Sequence, residues 1–206
     1  MTDLLADERL VWFLMRGSGI VLLAILTAAV VLGVVASHGG ASRPGAAVDR
    51  RTARRATAVG RFALTTVHRD VSLICLVLLA VHALSAAYHS FVDIAWVDVI
   101  VPFMSAYERL WIGLGTLALD LLIAASLAAA LRDRLGSRGW RAVHATTYLA
   151  WVIAVVHTIM IGTDREQVWA LAVGVGCAVA FVGAVIWRLT FLRREPTPLV
   201  REESSW

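Results

Sequence analysis

Cysteine is scarce in this chain of 206 residues, which contains only Cys75 and Cys177. The two thiols lie far apart in the sequence and do not form a Cys-x-x-Cys pair. No disulfide framework is therefore implied. Because both cysteines fall within long apolar segments, we interpret them as small buried hydrophobic residues.

Charged side chains are also few. They make up 17% of the chain, whereas 59% is hydrophobic, and the mean hydropathy is +0.76. Apolar stretches of about 20 residues can span a bilayer as helices. Five stretches qualify, namely 10–36, 63–87, 111–131, 141–162 and 168–188. We predict an all-α membrane protein, a bundle of five transmembrane helices in a single domain over 1–206, with its core at 10–188 and a short tail at 189–206.

Arginine is concentrated in three regions outside the apolar stretches. These are the first loop (Arg43, Arg50, Arg51, Arg54, Arg55, Arg61), the third loop (Arg132, Arg134, Arg138, Arg141) and the tail (Arg193, Arg194, Arg201). Since arginine-rich short loops stay in the cytoplasm, these regions are expected to face inward. The N-terminus is then outside and the C-terminus cytoplasmic. Topology also explains the net charge of +4, so we expect the lipid bilayer as a partner and no nucleic acid.

The start of the chain and two connecting segments complete this interpretation. The first stretch is kept as a helix and not a cleaved signal peptide, because its apolar run is long and acidic residues precede it. The first loop, 37–61, contains glycine and proline near its start and is predicted to be a flexible connector. Residues 89–109 contain an apolar run too short to span a bilayer, which we expect to lie along the membrane interface or to cap an outer cofactor site.

A nucleotide-binding domain is absent from the sequence pattern. The nearest glycine motif, Gly113-x-Gly115-x-x-Ala118, lies within a predicted spanning helix and follows no strand, so we interpret it as helix-packing glycine. His68-Arg69-Asp70 resembles part of a kinase catalytic loop, but the chain has no asparagine to complete that signature. The short segment after Arg188 is too small to form a soluble domain.

Four histidines lie inside the predicted spanning segments as two pairs. His68 and His82 are 14 residues apart in the second segment, which corresponds to about 21 Å along a helix and to nearly the same face. His144 and His157 are 13 residues apart in the fourth segment, about 20 Å along the axis but about 140° apart in direction. Matching depths pair His68 with His144 and His82 with His157. A π-bulge, a kink or a different direction of approach must absorb the angular difference in the fourth segment.

Neutral imidazole is a standard axial ligand of haem iron, and ionisable residues inside a membrane usually have a function. The two depth-matched pairs therefore predict two haems, non-covalent and b-type because no Cys-x-x-Cys-His is present. Two imidazoles on one iron suit electron transfer more than oxygen binding. The alternative is that the histidines only form hydrogen bonds between helices. His38 and His89 fall in loops. His89 lies seven residues after His82 and could approach the outer haem, but we favour a surface role for it.

Three further residues are candidates for contact with the cofactor. Arg16 is predicted to steady the outer propionates and Arg69 the inner ones, although both side chains could instead extend to the interface. An ion pair between Arg16 and Asp120 is another option. Trp151 is expected either to pack between the haem edges or to serve only in helix packing.

Two histidine motifs resemble those of a known group. One is His68-Arg69 followed by His82, and the other is Trp140-Arg141-Ala142-Val143-His144 followed by His157. The group is the ferric reductase-like transmembrane domain family, shared by ferric reductases, NADPH oxidases and the haem-binding subunit of bacterial periplasmic methionine sulfoxide reductase. The resemblance covers residues 10–188. It implies that His68 and His144 ligate the inner haem, and that His82 and His157 ligate the outer one.

The chain is expected to depart from the reductase and oxidase pattern, because we expect no flavin or nicotinamide domain after the last segment. It is similar to the stand-alone haem subunit, which implies that a separate flavoprotein reductase or membrane quinol is the electron donor. We expect a bacterial inner-membrane, multi-pass cytochrome b that passes electrons to an external acceptor, either ferric iron or a periplasmic redox enzyme. It would be an oxidoreductase or the membrane haem subunit of one. The alternatives are a transporter whose histidines relay protons or bind metal, and a structural or assembly subunit.

Overall fold

The structure, a computed structural model, describes residues 8–37, 50–88, 94–161 and 167–192. Over these ranges the elements are six helices and no strand. They are α1 (Glu8–Ala36), α2 (Arg50–Tyr88), α3 (Trp96–Ile100), α4 (Arg109–Ala130), α5 (Arg132–Ile161) and α6 (Val168–Leu192). All except α3 are long and apolar enough to cross a membrane. The all-α membrane fold with five spanning helices is therefore confirmed, while the orientation of the termini stays a prediction.

Two closely packed helix pairs build the bundle. α1 packs along α2, and α4 packs along α5, each pair running antiparallel. α1 also contacts α5 and α6, whereas α2 and α5 are not closely packed on each other. The two helices that carry the paired histidines are therefore held face to face by their neighbours and not by direct backbone contact.

Small side chains and apolar side chains together form the interior. α4 buries Gly113, Thr116, Ala118, Leu122, Ala125 and Ala128, a pattern that lets helix backbones approach closely inside a membrane. The main core cluster draws its buried members from α1, α2, α4, α5 and α6: Leu22, Leu23, Leu26, Ala29, Val30, Cys75, Leu79, Leu122, Ala150, Trp151 and Cys177. The interpretation of both cysteines as buried hydrophobic residues is confirmed, with exposed fractions of 6% and 8%.

The predicted flexible connector over 37–61 is wrong in its second half. α2 begins at Arg50, so residues 50–61 are helical, and residues 38–49 lie outside the described part of the chain. Alanine and arginine dominate the start of α2, and both are strong helix formers. The arginines make this part of the helix too polar to span a membrane. Hydropathy marks the spanning part of a helix but not the point where the helix begins.

Helix α5 is interrupted at one residue, Gly136, whose backbone adopts a non-helical φ of 69° and ψ of 168°. The predicted third loop is helical on both sides of this residue. No other residue of α5 departs from helical geometry, so the expectation of a π-bulge or kink between His144 and His157 is wrong. The remaining option, that the two rings approach their partners from different directions, is consistent with the structure.

Gly136→Ala is expected to destabilise the protein by about 1–3 kcal/mol, because this backbone region is essentially closed to residues with a Cβ. Gly139→Ala is the matched control in the next turn, since a Cβ there would meet only Leu135 at an ordinary 3.6 Å. Thermal unfolding in detergent would compare the two variants. Equal melting temperatures for Gly136→Ala and Gly139→Ala would contradict the prediction.

The segment from Ile94 to Glu108 folds against one end of α4, the end that the sequence predicts to be outer. Asp98 is 4% exposed, its carboxylate accepts a hydrogen bond from the Ala95 amide at 2.9 Å, and its carbonyl accepts one from Thr116 Oγ1 at 2.6 Å. Phe103, at φ 65°, packs on Gly113. This segment also exposes Trp96 and Ile100, and its interfacial position stays a prediction. Residues 89–93, including His89, lie outside the described ranges.

Candidate functional site

The structure brings the four intramembrane histidines together in the predicted pairs. The ring centroids of His68 and His144 are 6.1 Å apart with planes at 86°. Those of His82 and His157 are 6.4 Å apart with planes at 81°. α2 supplies one ring to each pair and α5 supplies the other, so the two pairs lie at two levels of the bundle.

Three of the four rings are held through Nδ1 by a backbone carbonyl on a neighbouring helix. Nδ1 of His68 is 2.9 Å from the Ala29 carbonyl oxygen, and Nδ1 of His82 is 2.8 Å from that of Met15. On the other helix pair, Nδ1 of His157 is 2.7 Å from the Trp111 carbonyl oxygen.

A carbonyl oxygen only accepts hydrogen bonds, so Nδ1 in each of these rings carries the proton and donates it. In a neutral imidazole, Nε2 then keeps its lone pair. This is the state in which metal-ligating histidines are held, with the second nitrogen donating to a carbonyl or carboxylate. Hydrogen bonding between helices therefore accounts for Nδ1, but it leaves Nε2 and the pairing of the rings unexplained.

The same three rings rest against glycines. A Cβ on Gly19 would lie 2.8 Å from Cε1 of His82, and a Cβ on Gly33 would lie 3.2 Å from Cε1 of His68. A Cβ on Gly115 would lie 2.6 Å from Cε1 of His157. Gly115 is one of the glycines interpreted above as helix-packing residues, whereas no role was predicted for Gly19 and Gly33. The sequence does contain a signal for these two glycines, because they have the same spacing along the chain as His68 and His82.

His144 differs from the other three. Its Nδ1 is buried and has no hydrogen-bond partner within the described part of the chain. The ring stacks instead on Trp140, with centroids 5.4 Å apart and planes at 21°. Trp140 Nε1 is likewise buried without a partner there. The 13-residue spacing explains the difference, because His144 leaves α5 in a direction about 140° from that of His157.

The separation of the rings fits a metal ion shared between them. A metal ion lies about 2.0–2.1 Å from a histidine nitrogen, and that nitrogen is about 1.1 Å from its ring centre, so two imidazoles on opposite sides of one ion have centroids about 6.3 Å apart. Both observed distances, 6.1 and 6.4 Å, are close to this value. The described residues contain no group of three histidine, cysteine or carboxylate side chains that could enclose a metal. An ion between either pair would thus have two protein ligands and would need a further chelating group.

Other predicted residues are placed as follows. The Arg16 guanidinium lies 4.1 Å over the Trp12 ring, and Arg16 follows Met15, whose carbonyl binds His82. Arg69 follows His68 and is exposed. No ion pair between Arg16 and Asp120 is found among the described residues, so this option is not realised. Arg16 lies three residues before Gly19 and Asp120 five residues after Gly115, two glycines that contact the same histidine pair, so the two charged residues differ by about 12 Å in depth.

Trp151 lies in the core, 5% exposed. Its Nε1 donates a hydrogen bond to Thr27 Oγ1 at 2.8 Å, and its ring stacks on Phe181 with centroids 4.2 Å apart. Trp151 therefore joins α5 to α1 and α6 between the two histidine levels. Its packing role is observed, and its place between cofactor edges stays a prediction. His38 and the tail arginines lie outside the described residues.

Neither a family model, nor a curated protein, nor a solved structure matches this chain. The resemblance to the ferric reductase-like domains therefore stays a prediction that depends on the histidine motifs.

Proposed function

We propose that this protein is a transmembrane cytochrome b that carries electrons across the bilayer through two haems. The observation that carries the proposal is the pairing of the four imidazoles at 6.1 and 6.4 Å, with Nδ1 of three rings bound to carbonyls. In this arrangement each pair would offer two imidazoles to one ion and would leave the remaining ligands to a macrocycle.

The residues present fit haem as the group. His68 and His144 would hold one haem, and His82 and His157 the other. Glycine lets three of the rings lie directly against the backbone of a neighbouring helix. Bound haem supplies a one-electron centre that alternates between ferric and ferrous iron. A haem held by two imidazoles would have no open position on the iron, which would favour electron transfer over oxygen chemistry.

The chain's own groups have two tasks in this function. The carbonyls of Met15, Ala29 and Trp111 fix the rings and increase their strength as donors. The apolar helices exclude water, and the spacing of His68 and His82 sets the two levels about 21 Å apart along α2. We further propose that Arg16 and Arg69 bind the outer and inner propionates, respectively.

The direction and partners of transfer follow from the predicted topology and from the resemblance. We propose a bacterial inner-membrane location, with electrons arriving from a cytoplasmic flavoprotein or from quinol and leaving to an external acceptor. A histidine-dependent proton or metal transporter is less well supported. A relay requires rings that can exchange protons at both nitrogens, whereas three rings here have Nδ1 bound to a carbonyl.

The purified protein is expected to contain two haems per chain with the low-spin spectrum of bis-imidazole coordination. Haem quantification, electron paramagnetic resonance and a redox titration would check this. In liposomes, dithionite added outside should reduce ferricyanide trapped inside only when the protein is present. A colourless protein from cells supplied with haem precursor, or a high-spin spectrum, would contradict the proposal.

A further inference from the structure

A three-part unit recurs around the histidines of the site. In each case a carbonyl accepts the Nδ1 proton, and a glycine one helical turn later on the same helix contacts the imidazole. The three units are Met15, Gly19 and His82; Ala29, Gly33 and His68; and Trp111, Gly115 and His157. We infer that Gly19, Gly33 and Gly115 are positioning residues that set the tautomer and the donor strength of three predicted haem ligands. This inference rests on the proposed function.

Helix geometry explains why the glycine stands at position i+4 from the carbonyl. In an α-helix the carbonyl of residue i already accepts the amide of residue i+4. It has a second lone pair that can accept another donor. The Cβ of residue i+4 would tilt back toward that carbonyl and block the approach of a ring. Glycine at i+4 exposes the carbonyl to an imidazole from the next helix, where a Cβ would lie 2.6 to 3.2 Å from the ring.

The register of the bundle explains why the unit occurs three times and not four. α1 and α2 run antiparallel, and their glycines and histidines share the same spacing, so both histidines of α2 receive the same support. On α4, the residue 13 positions after Gly115 is Ala128 and not a glycine, so the unit is not repeated there. The His144 Nδ1 accordingly has no partner within the described residues.

The two sites therefore differ in ligand strength. Donation from Nδ1–H to a carbonyl increases the basicity of Nε2 and favours the oxidised metal. Both ligands of the outer site, His82 and His157, have this support. At the inner site His68 has it and His144 does not. Haem at the inner site is expected to exchange faster with an external haem acceptor such as apomyoglobin.

Alanine at each glycine tests the inference. Gly19→Ala and Gly115→Ala are expected to weaken haem binding at the outer site by about 10–100-fold, the usual effect of losing a partner of a metal ligand, and to raise its midpoint potential. Gly33→Ala should act in the same direction at the inner site with a smaller effect, because its Cβ would lie 3.2 Å from Cε1 of His68. Haem titration and potentiometry would measure both effects.

Two glycines provide matched controls. A Cβ on Gly17 would meet nothing within 4 Å, although Gly17 is close to Gly19 in the same helix. Gly17→Ala should leave both sites unchanged. A Cβ on Gly113 would collide with Phe103 and not with a histidine. Gly113→Ala should lower the melting temperature and leave both midpoint potentials in place, which separates a structural clash from a change in ligand strength.

Nitrogen-15 NMR of histidine-labelled protein keeps this test separate from the proposed function. Recorded on haem-free protein, it reports which ring nitrogen carries the proton. We expect the Nδ1–H form at His68, His82 and His157, and its loss at His82 alone in Gly19→Ala. If wild-type protein binds no haem, the proposed function fails while this readout still decides the inference. Identical spectra and potentials for Gly19→Ala and Gly17→Ala would overturn it.

Discussion

His157→Ala is expected to reduce the haem content from two per chain to one and to abolish the low-spin signal of the outer site. The substitution removes one of two protein ligands, and the described residues supply no third ligand group to replace it. His82→Ala should produce the same result, since its ring is the partner at 6.4 Å. His68→Ala and His144→Ala should instead remove the inner haem.

The selectivity of these losses is the essential part of the prediction. The two levels are about 21 Å apart along α2, and substitutions at such a distance act independently when they share no partner. Thr158→Ala is the matched control beside His157, because the Thr158 hydroxyl only bonds the Ala154 carbonyl of its own helix. Loss of both haems from each histidine variant, or a shared phenotype for His68→Ala and His157→Ala, would contradict the pairing.

The spanning helices and the histidine pairs were predictable because both depend on distances along a single helix. Membrane thickness requires about 20 apolar residues, and the rise per residue places two side chains at the same depth whichever helix they belong to. The pairing of His68 with His144 follows from depth alone. The start of α2 at Arg50 was missed because its first turns are too polar for the hydropathy criterion, although their helix propensity is high.

The glycine and carbonyl partners were not predictable from depth, because they depend on which faces of two helices meet. Gly19 contacts His82 only because α1 and α2 are antiparallel in one particular register. The pairing of Arg16 with Asp120 is absent for a related reason. The register that brings Gly19 and Gly115 to one histidine pair separates the two charged residues by about 12 Å in depth, and single-sequence periodicity does not fix how helices are set against each other.

Trp151→Ala is expected to destabilise the protein by about 3–5 kcal/mol, as is usual when a buried tryptophan is truncated. The substitution would remove the stack on Phe181 and leave the Thr27 hydroxyl without its indole donor. Trp169→Ala is the control for loss of the same side chain from a position that is 50% exposed, and its effect should be small. Denaturation in detergent would compare the variants, and similar stabilities would contradict the prediction.

A second substitution at the same residue separates packing from electron transfer. Trp151→Phe keeps an aromatic ring beside Phe181 but loses the hydrogen bond to Thr27, which inside a membrane is worth about 0.6–1.7 kcal/mol. The expected stability loss is correspondingly smaller than for alanine. Thr27→Val removes the same hydrogen bond from the other side and leaves Trp151 intact. If the indole also lies between the haem edges, Trp151→Phe should slow transfer between the two haems while Thr27→Val does not. Equal transfer rates in both variants would assign Trp151 to packing alone.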